Sequence, residues 1–307
     1  MAAGGRTRRR GRRRRCPRRR RGRRTRPSVR PGRRHGGTAV TRRRLGTALY
    51  RTGVWLLLGF IVLPVVVVIG TSVSATPDVV FPPEQLSLRY YRAFFFAEAK
   101  WQTAFVNSVI VAAGTALLAT ALGTAGAYGT RTLPEGRLRE AITTLLVLPL
   151  PTPVIVLALA LSVYFARLGI RGSYPALVLG HTLVTVPFVY VVVRAVLARV
   201  DWRAHEAARD LGATRWQAFR EIVFPQIRAG VVAAAFVAAI LSLHEFLIAL
   251  FLSDFGTQTL PVLEWTALRN FVDPMISVVS TLLIIAALAL AVPVVVVLGM
   301  DRLARLL

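Results

Sequence analysis

The residues Glu206–Pro225, EAARDLGATRWQAFREIVFP, form a polar, helix-forming island between two long apolar runs. Leu211 closes one helical segment, and Gly212 can take the left-handed backbone that ends it without a Cβ penalty. Thr214 and Gln217 then stand at T-x-x-Q capping-box spacing, which restarts a helix. Trp216, Phe219, Ile222 and Val223 recur at helical spacing and give that second helix one apolar face. Pro225 sits beside the next apolar run. The expected product is a short helix-turn-helix knob held at a membrane surface.

Composition supports the membrane. The chain has 307 residues, of which 54% are hydrophobic, and a mean hydropathy of +0.55. Its net charge of +26 suggests a nucleic-acid partner until it is divided along the chain. Residues 1–51 hold 22 of the 40 basic residues and no acid, which leaves 18 basic against 14 acidic residues, a net of +4, for the rest. The charge belongs to a tail. That tail is Arg, Gly, Pro and Thr with almost nothing apolar to bury, so disorder is expected over 1–51. Arginines beside a membrane span are drawn to anionic lipid headgroups. RNA binding is one reading of such a tail, but no aromatic residue is interleaved for base stacking before Tyr50, so a topogenic role is favoured and no nucleic acid is expected as a partner. A translation start downstream, with part of the tail never made, is the other reading. A secretory signal peptide does not fit the long apolar run that follows. Cys16 is the one cysteine and Lys100 the one lysine. There is therefore no intramolecular disulfide, no Cys cluster for a metal and no G-x-x-x-x-G-K nucleotide loop.

Six apolar runs near the ~20 residues that a helix needs to cross a bilayer follow the tail. They are placed at Val54–Val73, Asn107–Tyr128, Thr144–Tyr164, Tyr174–Leu197, Val231–Leu252 and Ser277–Leu298. The expected fold class is an all-α membrane protein of six transmembrane helices with a disordered Arg-rich N-terminal tail. Outside the tail, the side holding the knob has 12 basic residues against 6 on the other. The positive-inside rule then puts both termini and the knob in the cytoplasm. The longest outer segment, Ser74–Gln102, carries RYYRAFF (Arg89 to Phe95), suited to an interfacial aromatic belt.

Two spans carry unusual residues. The third has Pro149, Pro151 and Pro153, each lacking a backbone donor, so its helix must kink or break. Freed carbonyls at that depth need protein or a water-filled cavity around them, which makes Pro153 a candidate pathway residue. The fifth contains SLHEF, with Ser242, His244 and Glu245. An acid at mid-membrane costs roughly 2.5–3.5 kcal/mol on insertion scales, so Glu245 should face the bundle interior with a task. Glu245 is the first candidate for a substrate contact, His244 the second, and His181 in the fourth span a candidate partner for the carboxylate. Ala119, Gly123 and Ala127, four apart, suit close helix packing.

The knob resembles the cytoplasmic coupling loop of binding-protein-dependent ABC importer permeases. That family's pattern is E-A-A, three residues, Gly, nine residues, I-x-L-P. Glu206, Ala207, Ala208, Gly212, Ile222 and Pro225 fit it, with Phe224 where Leu is usual. NSVIVA, PFVYVVVRA and TLPVLEW extend the resemblance from about Thr103 to Leu298. It implies a type I importer permease of MetI-like fold. The chain then divides into the tail (1–51), a first transmembrane helix with outer loop (52–102), the transmembrane domain with coupling loop 201–228 (103–298) and a short cytoplasmic tail (299–307). The implied partners are an ATPase homodimer, which alone holds ATP and Mg2+, a second permease subunit, an extracytoplasmic substrate-binding protein and membrane lipid. No cofactor and no enzymatic activity fall to this chain. The spermidine/putrescine second-permease subgroup is the nearest in pattern, but His244 and Val154 stand where that subgroup tends to carry acids. An aminophosphonate, another zwitterion or ferric ion are the alternative substrates. An ion-coupled secondary transporter is the alternative class, though its ionisable residues would be spread over several spans.

Overall fold

Small side chains set the centre of the molecule. In the structure, a computed structural model, Ala119 and Ala127 are fully buried on one long helix, and Gly123 between them touches the next. A Cβ on Gly123 would lie 2.6 Å from Val189 Cγ1 and 3.1 Å from the Tyr190 backbone nitrogen. The stripe lets two backbones approach as the four-residue spacing predicts.

Residues 37–77, 80–270 and 274–303 are described. The elements are α1 (Gly37–Ser72), α2 (Arg89–Phe96), α3 (Ala99–Thr132), α4 (Arg137–Val147), α5 (Val154–Arg167) and α6 (Tyr174–Leu197). They continue with α7 (Trp202–Asp210), α8 (Arg215–Ala218), a π turn (Phe219–Val223), α9 (Phe224–Leu243), α10 (Leu247–Leu252), α11 (Leu260–Asn270) and α12 (Pro274–Leu303). The chain divides into two units, residues 1–57 and 58–307, and every candidate site residue belongs to the second. The expected disorder of residues 1–36 lies outside the described residues. From Gly37 onward the segment is the start of α1.

Among the described residues, five helical stretches are long and apolar enough to cross a membrane: Leu49–Ser72, Ala99–Thr132, Tyr174–Leu197, Arg215–Leu243 and Pro274–Val296. The fourth span agrees with α6 to the residue. The third and fifth expected spans do not persist as single helices. Thr144–Tyr164 is split: α4 ends at Val147 and α5 starts at Val154, with the three prolines between or capping them. Missing proline donors leave carbonyls that a straight helix would have used. Leu150 N–H donates to the Val147 carbonyl at 3.0 Å and answers one of them, while Thr152 Oγ1 donates to the Leu148 carbonyl at 2.9 Å. Val231–Leu252 is likewise replaced by α9 and α10, with His244, Glu245 and Phe246 between. Here the Glu245 carboxylate caps the second piece, accepting the Ile248 N–H at 3.0 Å.

Three apolar clusters hold the second unit. One joins α3, α6 and α9 through Ala119, Val189, Ile227 and Ala234, all fully buried. Another seats α10 against α5 and α6 through Ile248, Leu252, Ala158 and Leu177. The third gathers Phe94, Trp101, Leu260 and Val279 from α2, α3, α11 and α12. Asn107 and Ser108, the polar start of NSVIVA, fasten the loop before α11. Asn107 Nδ2 donates to the Gly256 and Gln258 carbonyls at 3.1 and 2.9 Å, and Ser108 Oγ accepts from Leu260 N at 2.8 Å.

Candidate functional site

The knob is built by local chemistry. Asp201 caps α7 by accepting the Arg203 N–H at 3.1 Å. At the other end Gly212 has φ +92°, a region that favours glycine. Its N–H donates to the Arg209 carbonyl at 3.1 Å, and Ala213 N–H to the Ala208 carbonyl at 3.0 Å. Together these bonds make a Schellman closure. Thr214 then caps α8 as a full capping box: Gln217 N donates to Thr214 Oγ1 at 3.2 Å and Thr214 N to Gln217 Oε1 at 2.8 Å. Both features are those the spacing predicts.

The exit from the knob is not. Residues 219–223 form a π turn, and the Phe224 N–H reaches back five residues to the Phe219 carbonyl. Pro225 explains it. Its ring would clash with the carbonyl four residues back in a regular α-helix, and it has no N–H to bond there. A π turn widens the backbone at that place, and the helical run continues through Pro225 to Leu243.

Tyr128, near the end of α3, ties the knob to the bundle. Its hydroxyl is 3.1 Å from His205 Nε2 and donates to the Arg215 carbonyl at 3.3 Å. A phenol has one proton, so with that proton on Arg215 the imidazole is the donor at Nε2. Burial, and then the Arg209 guanidinium, hold His205 below its ordinary imidazole range, with Glu206 pulling the other way. Around this pair, Tyr128 and Phe219 have ring centroids 4.7 Å apart, Trp202 and His205 5.3 Å, and the Arg131 guanidinium lies 4.7 Å above Trp202. The sequence reading passed over Tyr128 and His205, since they are 77 positions apart. Replacing Tyr128 with phenylalanine should keep the fold and loosen the knob by about 1 kcal/mol, the net worth of a hydrogen bond. Faster hydrogen exchange over 203–218, with α6 unchanged, is the expected readout.

Of the motif residues, Glu206, Ala207, Gly212 and Pro225 are exposed, while Ala208 and Ile222 are half-buried. Leu211, at the tip, is 90% exposed. The buried residue of the turn is Val223, outside the motif.

The second candidate region is at the α9–α10 break. A cavity of about 200 Å3 is lined by Glu245 and Leu241, by Pro149, Leu150 and Val154 of the proline break, and by Val184, Thr185 and Phe188 of α6. The two interrupted helices thus meet at one opening. Pro153 caps α5 and His244 is exposed; neither lines that cavity. His181 is not the partner of Glu245: its Nδ1 is 2.8 Å from Ser242 Oγ, a buried pair between α6 and α9. Helix geometry accounts for this, since His181 faces the turn before the break and Glu245 lies beyond it. Sequence reasoning also missed Glu264 of α11, whose carboxylate accepts the Ser280 hydroxyl. Its acid inside TLPVLEW was the available signal. Among the described residues no group of His, Cys, Asp and Glu is arranged to hold a metal ion.

The profile of the family described as "Binding-protein-dependent transport system inner membrane component" matches residues 119–305. The chain belongs to this family. It is a multi-pass membrane permease of the ABC importer class, with an all-α fold. Among curated relatives, the trehalose transport system permease protein SugB of Mycobacterium tuberculosis is 26% identical over 78% of this chain and 88% of its own length. The spermidine/putrescine permease PotC of Haemophilus influenzae is 27% identical over 67% and 79%, and the putrescine permease PotI of Escherichia coli 30% over 58% and 65%. A bacterial alginate ABC transporter, solved with an alginate pentasaccharide-bound periplasmic protein, has a chain that matches with TM-score 0.63 at 16% identity. That match covers 86% of this permease and 96% of the alginate chain, and shows the shared fold.

Proposed function

We propose that the permease works with a partner ATPase that docks on the Glu206–Pro225 knob, and that it passes a cationic polyamine along a route bordered by Glu245. The exposed tip carries the docking half: Ala207 and Gly212 leave room for a close approach, and Leu211 offers an apolar side chain that no described residue covers. The knob is stiff enough to transmit a push, because both of its helices are capped and Tyr128 pins them. ATP and Mg2+ belong to the ATPase, whose homodimer would serve this chain and a second permease. An extracytoplasmic binding protein delivers the substrate. Both termini and the knob are cytoplasmic on the charge count. Lipid surrounds the bundle.

For the substrate, the supporting observation is one carboxylate at a double helix break. Glu245 uses one oxygen to cap α10 and can turn the other toward an ammonium group in the cavity. Relatives that carry spermidine and putrescine favour the same reading. A disaccharide is the second reading, because the trehalose permease aligns over more of the chain. The test is ATP-driven uptake of radiolabelled putrescine and trehalose by the complete complex in proteoliposomes. Putrescine uptake is expected, falling about tenfold or more in Glu245→Gln, as one lost ion pair worth ~1.4 kcal/mol requires. Trehalose uptake insensitive to Glu245→Gln would refute the polyamine assignment.

A further inference from the structure

At the knob end of the bundle a second cavity, of about 140 Å3, opens between the end of α3, the start of α4 and the end of α6. Arg131, Arg139 and Arg194 line it, one from each helix, together with Thr130, Thr143 and Tyr190. No carboxylate is among its lining residues. We propose that it binds a phosphate-type oxyanion, from a lipid headgroup at the membrane surface or from phosphate in solution.

The argument starts from repulsion. Three guanidinium groups drawn to one small cavity repel one another, and an anion among them is the direct relief. Existing contacts do not neutralise them. Arg131 rests on the Trp202 ring, and Arg194 donates to the Tyr190 hydroxyl at 3.3 Å. Arg139 meets Glu135 at 3.5 Å, but Glu135 is 93% exposed, and such surface pairs contribute little. Arg131 and Arg194 are exposed, so an anion can reach them from solution or from the membrane surface, and all three arginines line one concavity.

The rest of the lining fits an oxyanion. Tyr190 and Thr130 are almost wholly buried, and their hydroxyls lie 3.3 Å apart at the cavity wall. The guanidinium forks are the donor set that phosphate recognition uses, with the Tyr190 hydroxyl beside them, since the Thr130 and Thr143 hydroxyls already donate to the Gly126 and Arg139 carbonyls. The cavity is below the ~300 Å3 at which pockets for drug-sized ligands begin, so it suits one phosphate group rather than a nucleotide. A bound anion would tie three helix ends together beside Trp202, where the knob starts.

Native mass spectrometry of the full chain in detergent tests this with three probes: phosphatidylglycerol, phosphatidylcholine and inorganic phosphate. Wild type is expected to bind one phosphatidylglycerol or one phosphate in preference to phosphatidylcholine. Arg131→Gln/Arg194→Gln should weaken that binding about tenfold, while Arg167→Gln/Arg171→Gln leaves it unchanged. Phosphatidylglycerol that inorganic phosphate cannot displace identifies a lipid headgroup; phosphate binding on its own identifies the soluble ion. Equal binding by wild type and the Arg131/Arg194 variant, or no preference over phosphatidylcholine, overturns the proposal. Should the double variant fail to fold, Arg194→Gln alone is read by the same criterion.

Discussion

Gly212→Pro should abolish ATP-driven transport by the assembled complex while leaving the membrane bundle folded. The native φ of +92° is closed to proline, whose ring fixes φ near −65°. The substitution also removes the N–H that Gly212 donates to the Arg209 carbonyl, one of the two bonds of the Schellman closure. The turn between α7 and α8 cannot then form, at a cost of about 3 kcal/mol or more. No heavy atom lies within 4 Å of a Cβ built on Gly212, so the damage comes from the backbone and not from crowding. Gly212→Asn is the control, because asparagine tolerates the left-handed region, and it should transport near the wild-type rate. Co-purification of the partner ATPase with each variant is the first readout and uptake the second. If Gly212→Pro retains the ATPase and transports normally, the knob is not the coupling element.

The other large effect is expected inside the bundle. Gly123→Leu places a side chain where even a Cβ would be 2.6 Å from Val189 and 3.1 Å from the Tyr190 backbone. Valine at 189 is stiff about χ1 and the Tyr190 nitrogen is backbone, so neither can move aside cheaply. Forced separation of α3 from α6 should cost at least ~3 kcal/mol, the upper range for overpacking. Gly129, six residues further along the same helix, has no described neighbour outside that helix's backbone within 4 Å of its would-be Cβ. Gly129→Ala should therefore be neutral or stabilising by up to ~1 kcal/mol, the difference in helix propensity. Thermal unfolding in detergent, followed by circular dichroism, compares the two. Equal midpoints would mean that the α3–α6 contact is not tight at Gly123.

These two glycines also show how far the sequence could be read. Gly212 and the Thr214–Gln217 box were legible because turns and caps depend on neighbours within a few residues. The Ala119–Gly123–Ala127 stripe was legible because small residues four apart have one evident use. The α6 span followed from an apolar run of helix-spanning length, and the structure adds the Ser173 hydroxyl, which accepts the Ala176 N–H at its start. The π turn was hidden: the motif includes Pro225, yet how the helix absorbs a proline depends on the tertiary contacts of Val223 and Phe219. The break at His244–Phe246 contains neither proline nor glycine, so no local punctuation announced it. The Tyr128–His205 clasp and the three-arginine cavity join positions far apart in the chain, which no periodicity encodes.

The π turn has a mechanical consequence. Because it absorbs Pro225 without ending the helix, Arg215 to Leu243 is one continuous helical stretch of 29 residues. At 1.5 Å per residue that is about 43 Å of helix. In the proposed mechanism one end rests on the ATPase and the other stops at the His244–Phe246 gap, beside Glu245. In that mechanism a rotation of the knob is carried along one continuous helical stretch to the break beside Glu245, which lines the cavity.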